Sequence, residues 1–74
     1  MVTVKLNLTL IKSAGKKDFT INLKNPKPLK DVLYKIDLPL DEIGMVLKNG
    51  KWVTLDCIIE DNDIVQLFPR LEGG

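Results

Sequence analysis

No histidine occurs anywhere in the 74 residues, which removes the side chain most often used as a general base and as a metal ligand. Cysteine occurs once, at Cys57, so neither an intramolecular disulfide nor a multi-thiolate zinc site can be built. The chain therefore needs no oxidising compartment. Aromatic residues make up only 5% and arginine is confined to Arg70, which leaves little for stacking bases or gripping phosphates. Nucleic acid is not an expected partner. No apolar run is long enough to cross a bilayer, and the alternating order of Met1 to Ile11 is unlike a signal peptide. The expectation is a cytoplasmic protein with no membrane partner, no metal and no bound cofactor.

What is present fits one small domain. A chain of this length buries only about two thirds of the surface its unfolded form exposes, leaving little room for both a core and an enclosed catalytic cavity. Function is expected on the surface or at a terminus. The net charge of +1 conceals an asymmetry along the chain. Residues 1–30 hold seven lysines and one aspartate, net +6, whereas residues 31–74 hold four cations and nine carboxylates, net −5. A dipolar surface would steer a partner, but folding can also mix the two halves. The second reading is favoured.

Hydrophobic period divides the chain. Val2, Val4, Leu6, Leu8 and Leu10 alternate with Thr3, Lys5, Asn7 and Thr9, the period of a half-buried strand over 2–10. Residues 13–18 interrupt it as a loop. Phe19, Ile21 and Leu23 then resume the alternation, so a β-hairpin is expected. After Pro26 and Pro28 the period changes: Leu29, Val32, Leu33 and Ile36 lie at i, i+3, i+4 and i+7. This predicts a helix of about three turns near 28–38, with Pro28 in its first turn and Pro39 ending it. Asn49-Gly50 between two apolar segments is a strong signal for a two-residue hairpin turn. Residues 55–60 lack a clear period and are expected to pack as a turn or 3₁₀ segment. Asp61-Asn62-Asp63 turns into a last strand, Ile64 to Phe68. With one helix for one face, the other face of the sheet should be open and mostly polar, an α+β arrangement.

The final strand has two possible facings. Either Val65 and Leu67 point into the core and Ile64 and Phe68 project from the open face, or the reverse. Beyond it the chain reads Pro69-Arg70-Leu71-Glu72-Gly73-Gly74. Six extended residues reach about 20 Å. A Gly-Gly pair is costly to order and by itself reads as a frayed end, yet its lack of side chains also lets backbone thread a narrow channel.

The stretch Asn62-Asp63-Ile64-Val65-Gln66-Leu67-Phe68-Pro69, followed by Gly73-Gly74, resembles the end of the molybdopterin-synthase small subunit, in the ubiquitin-related sulfur-carrier family that includes the thiamine sulfur carriers. The strands at 2–10 and the Asn49-Gly50 turn fit as well, so the resemblance spans the chain. Two features depart from the pattern: Arg70 stands where many members have a second proline, and Leu71-Glu72 is more polar than usual.

The resemblance implies a β-grasp, or ubiquitin-like, fold: a mixed sheet of four to five strands with one main helix on one face. Its first and last strands would lie side by side and parallel in mid-sheet. Residues 1–68 would form the domain and 69–74 a flexible tail. The chain would be a carrier rather than an enzyme and monomeric when free. A separate ATP-dependent, E1-like enzyme would adenylate the carboxylate of Gly74, persulfide sulfur would displace the adenylate, and the thiocarboxylate would pass sulfur to an acceptor such as a synthase large subunit. Gly73 would keep the tail slim, and Arg70, Leu71 and Glu72 would line the partner's channel. Phe68, Pro69 and Ile64 would dock on the partner. The sulfur would serve biosynthesis of a molybdopterin-type cofactor, with thiamine synthesis or tRNA thiolation as alternative destinations. A protein modifier that conjugates through Gly74 is a second reading, and an interaction module without tail chemistry a third. Cys57 is expected to be a buried structural thiol, and Trp52 and Tyr34 ordinary packing residues.

Overall fold

Alternation makes the first strand, but only as far as residue 6. The computed structural model, which describes residues 1–70, has β1 at Val2–Leu6, with Val2, Val4 and Leu6 buried. Asn7 to Leu10 then form a β-turn closed by the Leu10 N–H donating to the Asn7 carbonyl at 3.2 Å. Leu8 occupies its second position at φ 54°, ψ −129°, the type II′ geometry that normally takes glycine. The turn ends the expected 2–10 strand and feeds a short helix, α1, over Thr9–Ala14. Leu10 is buried in the core, with Ile11 and Ala14 packed against it. Gly15 closes α1 in the left-handed conformation, φ 76°, its N–H donating to the Ile11 carbonyl at 2.8 Å. The expected tight hairpin is thus a strand, a helix and a second strand, β2 (Asp18–Ile21), still antiparallel to β1.

The second helix, α2, spans Leu29–Lys35, two turns rather than three. Pro28 sits at its N-cap, outside the first turn, in extended geometry. No side chain caps α2. Instead the Leu29 and Lys30 N–H groups donate to the carbonyls of Cys57 and Leu55, at 2.8 and 2.9 Å, satisfying donors that a helix start leaves open. The far end closes before Pro39 acts. Asp37 turns left-handed at φ 62°, its N–H donates to Tyr34, and the Leu38 N–H reaches back to Leu33. That pair of bonds is a Schellman motif, with Leu38 buried as its apolar plug. Leu29, Val32 and Leu33 are buried and Ile36 is half-buried, so the helical period named the right face.

A 3₁₀ turn at Leu40–Glu42 leads into β4 (Ile43–Lys48) and β5 (Lys51–Val53). Their turn has positive φ at Asn49 and Gly50, 51° and 83°, as a type I′ hairpin requires. Leu55 and Asp56 form the expected turn, closed by the Cys57 N–H donating to the Thr54 carbonyl at 3.1 Å, but it takes up only part of 55–60. Ile58–Ile59, β6, instead pairs antiparallel with Lys27–Pro28, β3, in a two-residue ladder beside α2. The last strand, β7, spans Ile64–Pro69.

The main sheet has the order β2-β1-β7-β4-β5. β7 lies parallel to β1, Leu6 beside Leu67, and antiparallel to β4, Val46 opposite Leu67. First and last strands are therefore adjacent in mid-sheet, the mixed five-stranded β-grasp arrangement. Val65 and Leu67 are fully buried among Val2, Val4, Leu6, Leu10, Leu29, Leu33 and Ile59. Among the described residues no buried side-chain polar atom lacks a partner, and no helix is long and apolar enough to cross a membrane.

Candidate functional site

With Val65 and Leu67 inward, strand alternation must send Ile64, Gln66 and Phe68 to the face without helices. Ile64 is 44% exposed and Phe68 half-buried. Register extends this face: Met45 lies opposite Phe68, Leu47 opposite Gln66, and Trp52 opposite Leu47. The open face consequently has two halves. On β1 and β2 it is polar, carrying Thr3, Lys5, Asp18 and Thr20. On β7, β4 and β5 it is apolar apart from Gln66, contrary to the expectation of a mostly polar surface. Trp52 is 73% exposed there and Tyr34, on α2, 81% exposed. Neither is an ordinary packing residue.

The apolar half contains a groove of about 470 Å³ lined by Leu8, Gly44, Met45, Trp52, Phe68 and Pro69. Leu8 reaches it because the II′ turn throws its side chain outward, 66% exposed. An apolar residue that is exposed and also held in a glycine-type conformation is doubly unfavourable to stability. Sequence reading missed Leu8, Gly44, Met45 and Trp52. Leu8 fell within an unbroken alternation, Gly44 and Met45 become neighbours of Phe68 only through the pairing of β4 with β7, and Trp52 joins them through that of β5 with β4.

The groove adjoins the point where the chain leaves the sheet. Pro69, which the sequence assigned to the tail, is the last residue of β7 and pairs with Ile43. Register slips between Ile43 and Met45, leaving Gly44 as a bulge. The exposed Arg70 is tied by its N–H to the Glu42 carbonyl at 3.0 Å. Leu71, Glu72, Gly73 and Gly74, the other predicted tail residues, lie outside the described residues. Phe68, Pro69 and Arg70 are thus brought together at one end of the groove, while Ile64 sits at the opposite end of the same strand.

Away from this end, a polar clamp fixes the start of β7. Asn49 accepts from the Ile64 N–H at 2.9 Å through its side-chain carbonyl and donates its amide to Asp63 at 2.9 Å. The other Asp63 oxygen accepts from the Glu60 N–H at 2.8 Å. That backbone bond, helped by the Asn49 amide, holds the Asp63 carboxyl below the usual carboxylate range. The amino terminus of Met1 pairs with Asp61. Cys57 is only half-buried, and burial pushes its thiol pKa up, away from the reactive thiolate. Among the described residues no three His, Cys, Asp or Glu side chains converge as a metal site.

A β-grasp sheet with an apolar groove at the C-terminal end of its last strand defines a ubiquitin-like protein. Residues 2–73 match the family described as Mut7-C ubiquitin, and the chain belongs to that family. Solved structures share the fold. Small archaeal modifier protein 1 of Haloferax volcanii is 24% identical, with 95% of this chain and 97% of that one covered and a TM-score of 0.76. Urm1 of Sulfolobus solfataricus is 28% identical over 92% and 99%, with a TM-score of 0.66. The Helicobacter pylori complex of subunits 1 and 2 of molybdopterin-converting factor contains a chain 19% identical over 99% and 97%, with a TM-score of 0.64. A comparison with curated proteins finds no match.

Proposed function

We propose that this chain carries sulfur on the carboxylate of Gly74 for the biosynthesis of a molybdopterin-type cofactor. The observation that supports this most directly is the placement of the Phe68–Trp52–Met45–Leu8 groove at the exit of the chain from the sheet. A partner seated there holds the body of the domain while the segment after Arg70 runs into its active site. The likeness to subunit 1 of molybdopterin-converting factor, solved together with subunit 2, points to the same division of labour between a small carrier and a larger partner.

The chemistry needs little from the carrier. A carboxylate oxygen of Gly74 attacks the α-phosphorus of ATP on the adenylating enzyme, and pyrophosphate leaves. A persulfide sulfur then attacks the acyl carbon and AMP leaves. A thiol reduces the resulting acyl disulfide, and the thiocarboxylate remains. The partner supplies acid–base groups and ATP; this chain supplies geometry. Gly73 provides the slimness, and Arg70 offers a guanidinium for a carboxylate in the channel.

Similarity to small archaeal modifier protein 1 favours a second reading, in which the activated Gly74 is joined to lysines of other proteins. Intact mass of protein recovered from its own cell separates the two. A gain of about 16 mass units marks oxygen-to-sulfur exchange, whereas a ladder of larger adducts marks conjugation. Deleting Gly74, or adding one residue after it, is expected to abolish chain-dependent ATP–pyrophosphate exchange without altering the melting temperature. The carboxylate would be misplaced by about 3.5 Å, far outside a near-attack geometry. Exchange at the native rate by either variant would remove Gly74 from the mechanism.

A further inference from the structure

Gly44 does not have positive φ, so its backbone conformation is open to any residue. What demands glycine is proximity. A Cβ built there would lie 2.7 Å from the Arg70 Cα, 2.9 Å from the Pro69 oxygen and 3.0 Å from the Arg70 nitrogen. All three are backbone atoms, so no side chain can swing away to make room. Beyond the bulge the ladder closes with Ile43 beside Pro69, a residue with no N–H to donate. The Arg70 N–H bond to Glu42 follows it as the last tie of this strand among the described residues, and it needs a residue without a side chain at 44.

We infer that Gly44 is a positioning residue: its bulge fixes Arg70, the point from which the segment carrying the Gly74 carboxylate leaves the domain. The kinetic part of this inference rests on the sulfur-carrier reading; the structural part does not. Alanine at 44 must push the Arg70 Cα from 2.7 Å towards the 3.4 Å at which ordinary contact begins. That displacement breaks the tie to Glu42 and frees the root, and misplacement of about 1 Å costs a positioned reaction on the order of a hundredfold. The built Cβ points at the Pro69–Arg70 backbone; because Gly44 and Pro69 also line the groove, the effect on presentation is separated from docking by a second variant that adds nothing at residue 44.

The test compares three proteins. One is wild type and one is Gly44→Ala. The third is a semisynthetic chain, joined at the native Cys57, in which an ester replaces the Pro69–Arg70 amide. The ester removes the Arg70 N–H without adding an atom to the bulge. Folding is followed by circular dichroism, the tie by hydrogen exchange at Arg70, and adenylation by pyrophosphate exchange with the adenylating enzyme from the same cell. Gly44→Ala is expected to melt cooperatively, lose protection at Arg70, and show a lowered kcat, while its KM can also change because residue 44 lines the groove. The ester chain is expected to show a kcat lowered about a hundredfold with KM within about threefold of wild type, the signature of misdirected presentation. Persisting protection at Arg70 in Gly44→Ala overturns the inference, as does a folded variant of either kind with native kcat. If Gly44→Ala does not fold, the ester chain decides alone. If wild type itself supports no exchange, the sulfur-carrier reading falls, and Arg70 protection still decides whether Gly44 holds the root.

Discussion

Leu67 and Phe68 are neighbours in sequence whose replacement by alanine should have opposite consequences. Leu67 is fully buried, flanked by Leu6 on β1 and Val46 on β4. With strands hydrogen-bonded on both sides, the site cannot collapse around a lost side chain, so Leu67→Ala should cost about 3–4 kcal/mol. At about 4–8 °C per kcal/mol for a domain this size, the melting temperature falls by roughly 12–30 °C. Phe68 is half-buried over an open groove, so its truncation should cost about 1–2 kcal/mol, well below the penalty for a fully buried aromatic. Its loss should appear in partner binding, where a central aromatic anchor is worth roughly 2 kcal/mol or more, about thirtyfold in Kd. Unfolding is best followed by far-ultraviolet circular dichroism, because Trp52 is already 73% exposed in the native state. The same exposure makes Trp52 a reporter of docking, since an occupied groove would shield the indole. Titration of the adenylating enzyme should shift Trp52 emission to the blue in wild type and, at equal concentrations, far less in Phe68→Ala. If Phe68→Ala destabilises the domain as much as Leu67→Ala while binding is unchanged, the facing of β7 is reversed and the groove is not a docking site.

Other expectations follow from single residues. Leu8→Gly should keep or raise the melting temperature, since relief of a positive φ of about 1–3 kcal/mol outweighs the entropy of glycine, while partner affinity falls with the loss of the groove wall. Asp63 stabilises the fold where its carboxylate is charged. Because its native pKa is depressed, that contribution is present above the unfolded carboxylate range and is lost as pH falls through the lowered native value. Denaturant midpoints measured from neutral to acidic pH should therefore decline less for Asp63→Asn than for wild type. Gly73→Val should block adenylation with folding intact, by steric exclusion from a narrow channel; native exchange rates would refute the channel.

The helix and sheet were legible where burial on one side imposes a period. Leu29, Val32 and Leu33 marked the core face of α2, and Val2, Val4 and Leu6 that of β1. The period failed at Leu8 and Leu10 because both are apolar at the spacing of a strand, while the backbone had already turned. The competing signal was present: Leu10, Ile11 and Ala14 share a helical face, and Gly15 follows as a C-terminal cap. The length of α2 was overestimated because Asp37, which accepts a left-handed φ, ends it ahead of Pro39. The groove was only half legible. Phe68 and Pro69 stood out as a pair, but Met45, Trp52 and Gly44 join them through strand pairing across the sheet, which no local pattern encodes.

The central position of β7 has a consequence for how the molecule is made. Among the described residues β7 alone bridges the β1–β2 and β4–β5 pairs, and isolated two-stranded ribbons are marginal in water. The sheet stays in two halves until Leu67 has been synthesised and is free to accept from Asn7, sixty residues earlier. A chain released before that point has no β7 to close the sheet, leaving unpaired edges and apolar surface for proteases and chaperones to find. Arg70 follows three residues behind Leu67, so folding certifies that synthesis has reached the threshold of the tail.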